Sequence, residues 1–338
     1  MMNAESKKKI DFVITWVDET DPKWRKDFEY YSAMGGRTVD KSPARFRDWG
    51  TLRYWFRGVE KFAPWVNKVY FVTYGHLPQW LNTDNPQLVV VKHEDFIPHE
   101  YLPTFNSNVI EFFFHKIEGL SNRFVYFNDD TFLIDKTAPD RFFRKGFPCD
   151  IGALAIRRPD RIVFSATVLT SIGIINTHFD KKSVLFKDFN KWHNLAYIRP
   201  SIRNLHYHRL DFFPGFATHH LPQGYIKHIY EDVWNRCEVD LTRTSCNKFR
   251  SYSDASHWLI RYWQLASGQF TPYNVFKDGH FYRILDEDIT EIEESIRFQK
   301  WKLLCLNDNS YKMNYEENKR RILEAFDSIL PNPCCFEK

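Results

Sequence analysis

Two carboxylates stand side by side in the stretch FVYFNDDTFLID, where an apolar and aromatic run gives way to Asn128, Asp129 and Asp130. Adjacent acids repel, and the arrangement is costly unless a positive group sits between or beside them. A hard divalent cation, Mg²⁺ or Mn²⁺, meets that need with oxygen ligands and keeps open positions for phosphate oxygens. The same residues favour a plain strand-to-turn junction, so the triplet alone leaves both readings open. Histidines cluster at His206, His208, His219, His220 and His228; such a set can hold a transition metal or simply pack. His220 differs because it opens HLPQGY, a turn able to present an imidazole to a cleft for general-base work. Arg250 and Asp254 fall at i,i+4 spacing in NKFRSYSDASHWLIRYW. They read either as a weak surface pair or as a guanidinium set at a helix start for phosphate. Asp308 follows the short apolar run of LCLNDN, where a turn is again the plainer account.

The elements that must position these groups are legible from periodicity. Residues 10–16 (IDFVITW) read as a buried first strand that stops at Val17 and Asp18. Leu52, Phe56, Val59 and Phe62 recur at helical spacing, which predicts an amphipathic helix over 44–62 that ends near Pro64. Residues 68–73 and 88–92 are two further buried strands. Ser107 can cap a helix reaching about Gly119, with Ile110, Phe113, Phe114 and Ile117 as its stripe and with Glu111 and His115 one turn apart on its flank. Residues 122–127 form the next strand and deliver the acidic triplet to its carboxyl end. In open α/β sheets ligands bind outside those ends, so Asp18 and the triplet are expected to share one crevice. Residues 136–250 read as loop-rich, with short strands at 151–156 and 171–175, and helical spacing returns at 254–266 and 315–330. The predicted class is α/β, a Rossmann-like, mostly parallel sheet flanked by helices, with a loop-rich insertion and C-terminal helices.

Composition narrows the partners. With 47 Lys+Arg against 43 Asp+Glu the chain lacks the basic field of a nucleic-acid binder, so no nucleic acid is expected. An aromatic share of 17% suits a packed core plus surfaces that stack on bases or sugar faces. No run of about 18 uncharged apolar residues is present. The basic MMNAESKKK start is followed by acids rather than by an apolar signal core. Six cysteines show no metal-type spacing, and the expectation is reduced thiols in the cytoplasm, with peripheral association at the inner membrane face compatible. Cys334 and Cys335 carry no assigned role.

Five ordered blocks together resemble the Stealth family of sugar-phosphate transferases. They are IDFVITWVDETDP, the stretch RFRDWG through PQWLN, LPTFNSNVIEFFFHKIEGLSNRFVYFNDD, HHLPQGY with FRSYSDASHWLIRYW, and CLNDN. The resemblance covers most of the chain. It implies transfer of a hexose-1-phosphate, an N-acetylhexosamine-1-phosphate by preference, from a UDP-sugar to a hydroxyl of a glycan or lipid-linked oligosaccharide, leaving UMP and a phosphodiester. It places Glu111, Asp130, His220 and Arg250 in the catalytic centre, Asp129, Asp130 and Asp308 facing a metal, and Trp16, Asp18, Asp21, Arg47 and Asp48 on the donor side. It also implies a single catalytic domain over 1–338: a nucleotide-sugar half at 10–135, a variable acceptor-side insertion at 136–218, and a completing segment at 219–338. Phosphoryl transfer asks a protein chiefly for positioning and charge neutralisation, which this set supplies. His220 is the first choice of base and Glu111 the alternative. Two rival classes remain: a metal-dependent glycosyltransferase that attacks carbon and releases UDP, and a non-catalytic glycan binder.

Overall fold

The computed structural model describes residues 9–34, 47–160, 162–308 and 313–338. Its strands are β1 (Asp11–Thr15), β2 (Val69–Thr73), β3 (Leu88–Lys92), β4 (Arg123–Phe127), β5 (Thr131–Leu133), β6 (Phe143–Arg144), β7 (Phe147–Asp150), β8 (Gln223–Ile226), β9 (Thr271–Pro272), β10 (Gly279–Arg283) and β11 (Leu303–Asn307). Its α-helices are α1 (Pro22–Met34), α2 (Leu52–Phe62), α3 (Ser107–Phe112), α4 (Val163–His178), α5 (Lys181–Lys187), α6 (Phe189–Trp192), α7 (Ile198–His206), α8 (Lys227–Ser245), α9 (Trp258–Ala266), α10 (Ile289–Arg297) and α11 (Tyr315–Ile329).

The principal sheet runs β3-β2-β1-β4-β8, parallel except for β8, which pairs antiparallel with β4. β1 is central and almost wholly buried, as a continuous apolar run covered on both faces requires. Its one acid, Asp11, is satisfied by the Asn67 amide (2.6 Å) and the Ser121 N–H (2.7 Å). A second sheet, β10-β11-β5, starts where the first ends: β4 passes through Asn128, Asp129 and Asp130 directly into β5. The Leu306 N–H closes that seam on the Asp130 carbonyl at 2.8 Å. Helix α2 covers it, and Gly58 is what allows the approach, since a Cβ there would lie 2.7 Å from the Leu133 carbonyl oxygen. One large buried cluster extends from Ile10 to Phe336, with smaller separate clusters around Trp24 and Phe28 of α1 and around Ile151 and Tyr197. Among the described residues no helix is long and apolar enough to cross a membrane.

Several expected elements differ. The helix predicted from 44 starts at Leu52, because Gly50 has φ +69°, outside α geometry; residues 44–46, like the basic start at 1–8, lie outside the described residues. The helix predicted over 107–119 leaves α geometry at Phe113 (φ −101°, ψ 3°) and continues as a 3₁₀ turn. Phe112, Phe113 and Phe114 are all buried, more than one face of a straight helix hides. Its cap is Asn106, which accepts from the Asn108 N–H, not Ser107. The region read as loop-rich is largely helical, and 171–175 lies inside α4, whose β-branched run mimics a strand. Residues 151–156 contribute only the bridge Leu154–Phe216. Residues 254–257 precede α9 rather than beginning it.

Candidate active site

A cleft of about 2040 Å³ opens over the carboxyl ends of β1 and β4, as the strand order demands. The acidic triplet lines it, and the strand-to-turn reading of that triplet holds. Thr131 N–H bonds back to the Asn128 carbonyl (3.1 Å), closing a turn that presents Asp129 and Asp130 to the cleft. Asp129 has its carboxyl pushed up to about 7 by the surrounding protein and by repulsion from Asp130 and Asp48. Its side chain is nevertheless solvent-exposed, so the like-charge repulsion is the cause that holds, and a cation would relieve it. Asp130 Oδ2 accepts from the Asn307 amide at 3.2 Å and lies 3.7 Å from His220 Nε2, while its Oδ1 is buried without a hydrogen-bond partner.

Ligand atoms of Asp130, His220 and Cys305 fall within 4.8 Å of one another. Burial and the two aspartates raise the Cys305 thiol well above its usual range, and its soft sulfur suits a hard divalent cation less well than the carboxylates do. Asp130 is the hard oxygen donor of that cluster, with one orphaned atom; Asp129 is not part of the cluster but adjoins it in the same turn, and the two carboxylates fit Mg²⁺ or Mn²⁺. Asp308 is not part of that cluster. It lines the same cleft, but its Oδ2 is engaged by Arg47 Nε (3.4 Å) and the Trp49 indole N–H (3.1 Å), so its charge is already compensated by protein groups.

Glu111 is delivered by α3 and is 3% exposed. Burial raises its carboxyl to about 8 against the lowering influence of Arg250, Tyr126 and Ser107. Its Oε2 lies 3.2 Å from His257 Nδ1, and neither atom has another partner. His257 is held near 3 by burial and by Arg250 and His220, so at neutral pH the proton resides on the carboxyl and the imidazole receives it. Arg250 does not begin a helix, and its partner at i+4 is no surface pair. Asp254 is fully buried and holds the loop together, accepting from Asn106 Nδ2 (2.8 Å), Asn247 Nδ2 (2.7 Å) and Ser251 N (2.8 Å). Because Asn106 also caps α3, one aspartate braces both the Glu111 helix and the Arg250 loop. Arg250 itself is exposed in the cleft and donates to Ser107 Oγ.

The donor-side residues divide. Trp16, Asp18, Arg47 and Asp48 line the cleft; Trp16 stacks on Phe71 at 5.7 Å, and the Asp18 N–H donates to His76 Nε2 at 2.8 Å. Asp21 does not line it: its carboxylate accepts from the Trp24 N–H (2.7 Å) and caps α1. The five clustered histidines are not brought together either. His219 is buried 3.5 Å from Asp150, which Arg261 grips through two bonds of 2.7 and 2.8 Å. Burial alone would raise the Asp150 carboxyl, but Arg261 and His219 hold it below the usual range. His208 meets His193, His228 meets Gln269, and His206 lies against Tyr207. Sequence reasoning missed His257, Asn307 and Trp49, although each lies inside or beside a motif already singled out.

The family model for Stealth protein conserved region 1 matches residues 8–36 and that for conserved region 2 matches residues 45–149. A capsular polysaccharide phosphotransferase WcwK of Streptococcus pneumoniae is 41% identical, with 100% of each chain covered. The chain belongs to the Stealth family. Further Stealth relatives are the receptor polysaccharide phosphotransferase WefC of Streptococcus gordonii (38% identical, 97% of this chain and 99% of the relative) and the exopolysaccharide phosphotransferase cps2G of Lactiplantibacillus plantarum (36%, 97% and 96%). Region 1 contains Trp16, Asp18 and Asp21, and region 2 contains Glu111, Asp129 and Asp130. His220 and Arg250 lie beyond both Stealth regions but within these full-length matches.

Proposed function

We propose that the protein transfers a hexose-1-phosphate, an N-acetylhexosamine-1-phosphate as first choice, from a UDP-sugar to a hydroxyl of an acceptor glycan in capsule or exopolysaccharide synthesis. The observation that carries this reading is the convergence in one cleft of Asp129 and Asp130 from β4, Glu111 from α3, His220 from the turn before β8, and Arg250 from the loop before α9. The names of the full-length relatives support it. A divalent cation held by Asp129 and Asp130 would offset the negative charge of a diphosphate. Arg250, exposed in the cleft, places its fork on non-bridging phosphate oxygens. Glu111, whose carboxyl proton faces His257, accepts from a sugar hydroxyl through its other oxygen and fixes the donor's orientation. His220 accepts the acceptor hydroxyl's proton as that oxygen bonds to the sugar-bearing phosphorus; the bond from that phosphorus to the UMP oxygen breaks, and UMP leaves with the pair of electrons. Trp16, Asp18, Arg47 and Asp48 form the donor side, and the acceptor is a lipid-linked glycan at the cytoplasmic membrane face.

The test is incubation with a panel of UDP-sugars, an oligosaccharide acceptor and Mg²⁺ or Mn²⁺, followed by identification of the nucleotide and phosphorus NMR of the glycan. UMP with a diester resonance coupled to the donor anomeric carbon and an acceptor carbon is expected. Free UDP with a phosphorus-free glycan overturns the phosphotransferase reading in favour of a glycosyltransferase.

A further inference from the structure

Helix α7 sits the wrong way round for a core helix. Its only buried side chain is polar: Asn204, whose amide donates to the Gly152 and Trp192 carbonyls and whose Oδ1 accepts from the Leu154 N–H. Ile198, Ile202 and Leu205, at i, i+4 and i+7, make one apolar stripe, and all three face solvent with 58%, 62% and 52% of their surface exposed. Phe186 at the end of α5 and Leu195 just before α7 project further still, each 87% exposed. A stripe of this kind normally points inward, because each aliphatic side chain left in water forfeits its burial free energy.

The charges around the stripe carry one sign. Lys182, Lys187, Arg199, Arg203 and Arg209 are exposed, and none makes an ion pair among the described residues. The single acid of residues 181–210, Asp188, is paired with Lys191 at 3.1 Å; Asp180 and Asp211 stand only at the two ends. We propose that the face formed by α5, α7 and the segment between them docks on an anionic phospholipid bilayer, with Phe186, Leu195, Ile198, Ile202 and Leu205 entering the acyl boundary and the five cations meeting lipid phosphates. Apolar side chains projecting from a basic collar are the composition of an interfacial helix. A second copy of the chain fits less well, since a two-fold interface would set this collar against itself with almost no acid to answer it. The face also has a geometric link to the cleft: Val163 and Phe164, at the start of α4, line the cleft, and the far end of the same helix leads into α5. A 16-residue helix spans ~24 Å, so a bilayer on this face lies within reach of a lipid-linked glycan in the cleft. That last step rests on the proposed transfer reaction; the docking itself does not.

The experiment is flotation of the full chain with vesicles of phosphatidylglycerol mixed with phosphatidylcholine, against vesicles of phosphatidylcholine alone, at low and high salt. Binding to the anionic vesicles that weakens with salt is expected. The pair Ile202→Ser with Leu205→Ser should lower partitioning roughly tenfold for each side chain. The pair Arg199→Gln with Arg203→Gln should lower it about fivefold for each charge. Donor turnover with a soluble acceptor should be unchanged in both variants. Absence of binding to anionic vesicles, or binding that survives both variants, overturns the proposal. A concentration-dependent dimer in sedimentation velocity that the same variants abolish also overturns it and assigns the face to self-association. Vesicle binding needs neither donor nor acceptor, so failure of the transfer reading and failure of this one are read in separate assays.

Discussion

Replacing Glu111 with glutamine should make the protein more stable at alkaline pH while impairing transfer. In the folded chain the Glu111 carboxyl is raised by burial from 4.5 to about 8. Between those values the unfolded chain has released the proton and the folded chain still holds it, so stability falls as pH rises through that window and is level outside it. At about 1.4 kcal/mol per pH unit the total is about 5 kcal/mol. His257 works in the opposite sense: lowered from 6.5 to about 3, it gives a contribution that rises with pH until about 6.5 and is level above. The two slopes therefore oppose each other from about pH 4.5 to 6.5, and the Glu111 loss stands uncovered only above. The measurement is urea denaturation of the wild type and Glu111→Gln at intervals from pH 4 to 9, read as the difference between them, which cancels other titrating groups. The variant should gain on the wild type progressively between pH 4.5 and 8, by several kcal/mol in all, and by nothing more beyond. Parallel stability curves would refute the reasoning, since they would show that Glu111 ionises in the folded protein as readily as in the unfolded one.

Three further outcomes follow from the same geometry. Asp130→Asn, and wild type in excess EDTA, should each lose at least 99% of transfer, roughly the 10²-fold worth of a single charge-stabilising group, with an unchanged circular-dichroism spectrum; full turnover in either case removes the metal role. Arg250→Lys should be nearly as slow as Arg250→Ala, because one arm of the fork is committed to Ser107 Oγ and a single ammonium cannot reproduce both that bond and a phosphate contact; a lysine variant at near wild-type rate makes Arg250 merely electrostatic. Gly58→Ala should cost ~1–3 kcal/mol in thermal or urea unfolding, the usual penalty of overpacking, since its Cβ meets the Leu133 carbonyl oxygen at 2.7 Å; an unchanged midpoint shows that the seam can open without loss.

The part of the fold that was legible in the sequence is the part where burial is one-sided or complete. β1 to β4 each carry an uninterrupted β-branched and aromatic run, and such runs announce a parallel core almost regardless of context. Helices α5 to α7 left no such trace because they bury few side chains, and α7 anchors itself through an asparagine. The site divides along the same line. Asp129, Asp130, His220 and Arg250 stand in recognisable blocks and meet in the cleft as expected. The roles of Asp254 and His257 were hidden, because a brace is defined by what it touches across about 150 residues of chain, and spacing in sequence does not record that. Asp21 shows the converse: an acid within one of those blocks that lies outside the cleft, capping its own helix and facing His76 at 3.8 Å.

The seam between the two sheets sets a timetable for the protein's synthesis. Asn307 must reach Asp130 across 177 positions before that carboxylate is held, and β5 has no partner until β11 has been made. At about 5–20 residues per second a ribosome needs roughly ten to thirty-five seconds to cover that distance. During this interval the principal sheet can pair β1 to β4, while the acidic turn at its edge stays unclamped and without the His220 turn or the Arg250 loop for much of the time. The acidic turn therefore gains its Asn307 clamp, and β5 its strand partner, only after the chain has been made through β11.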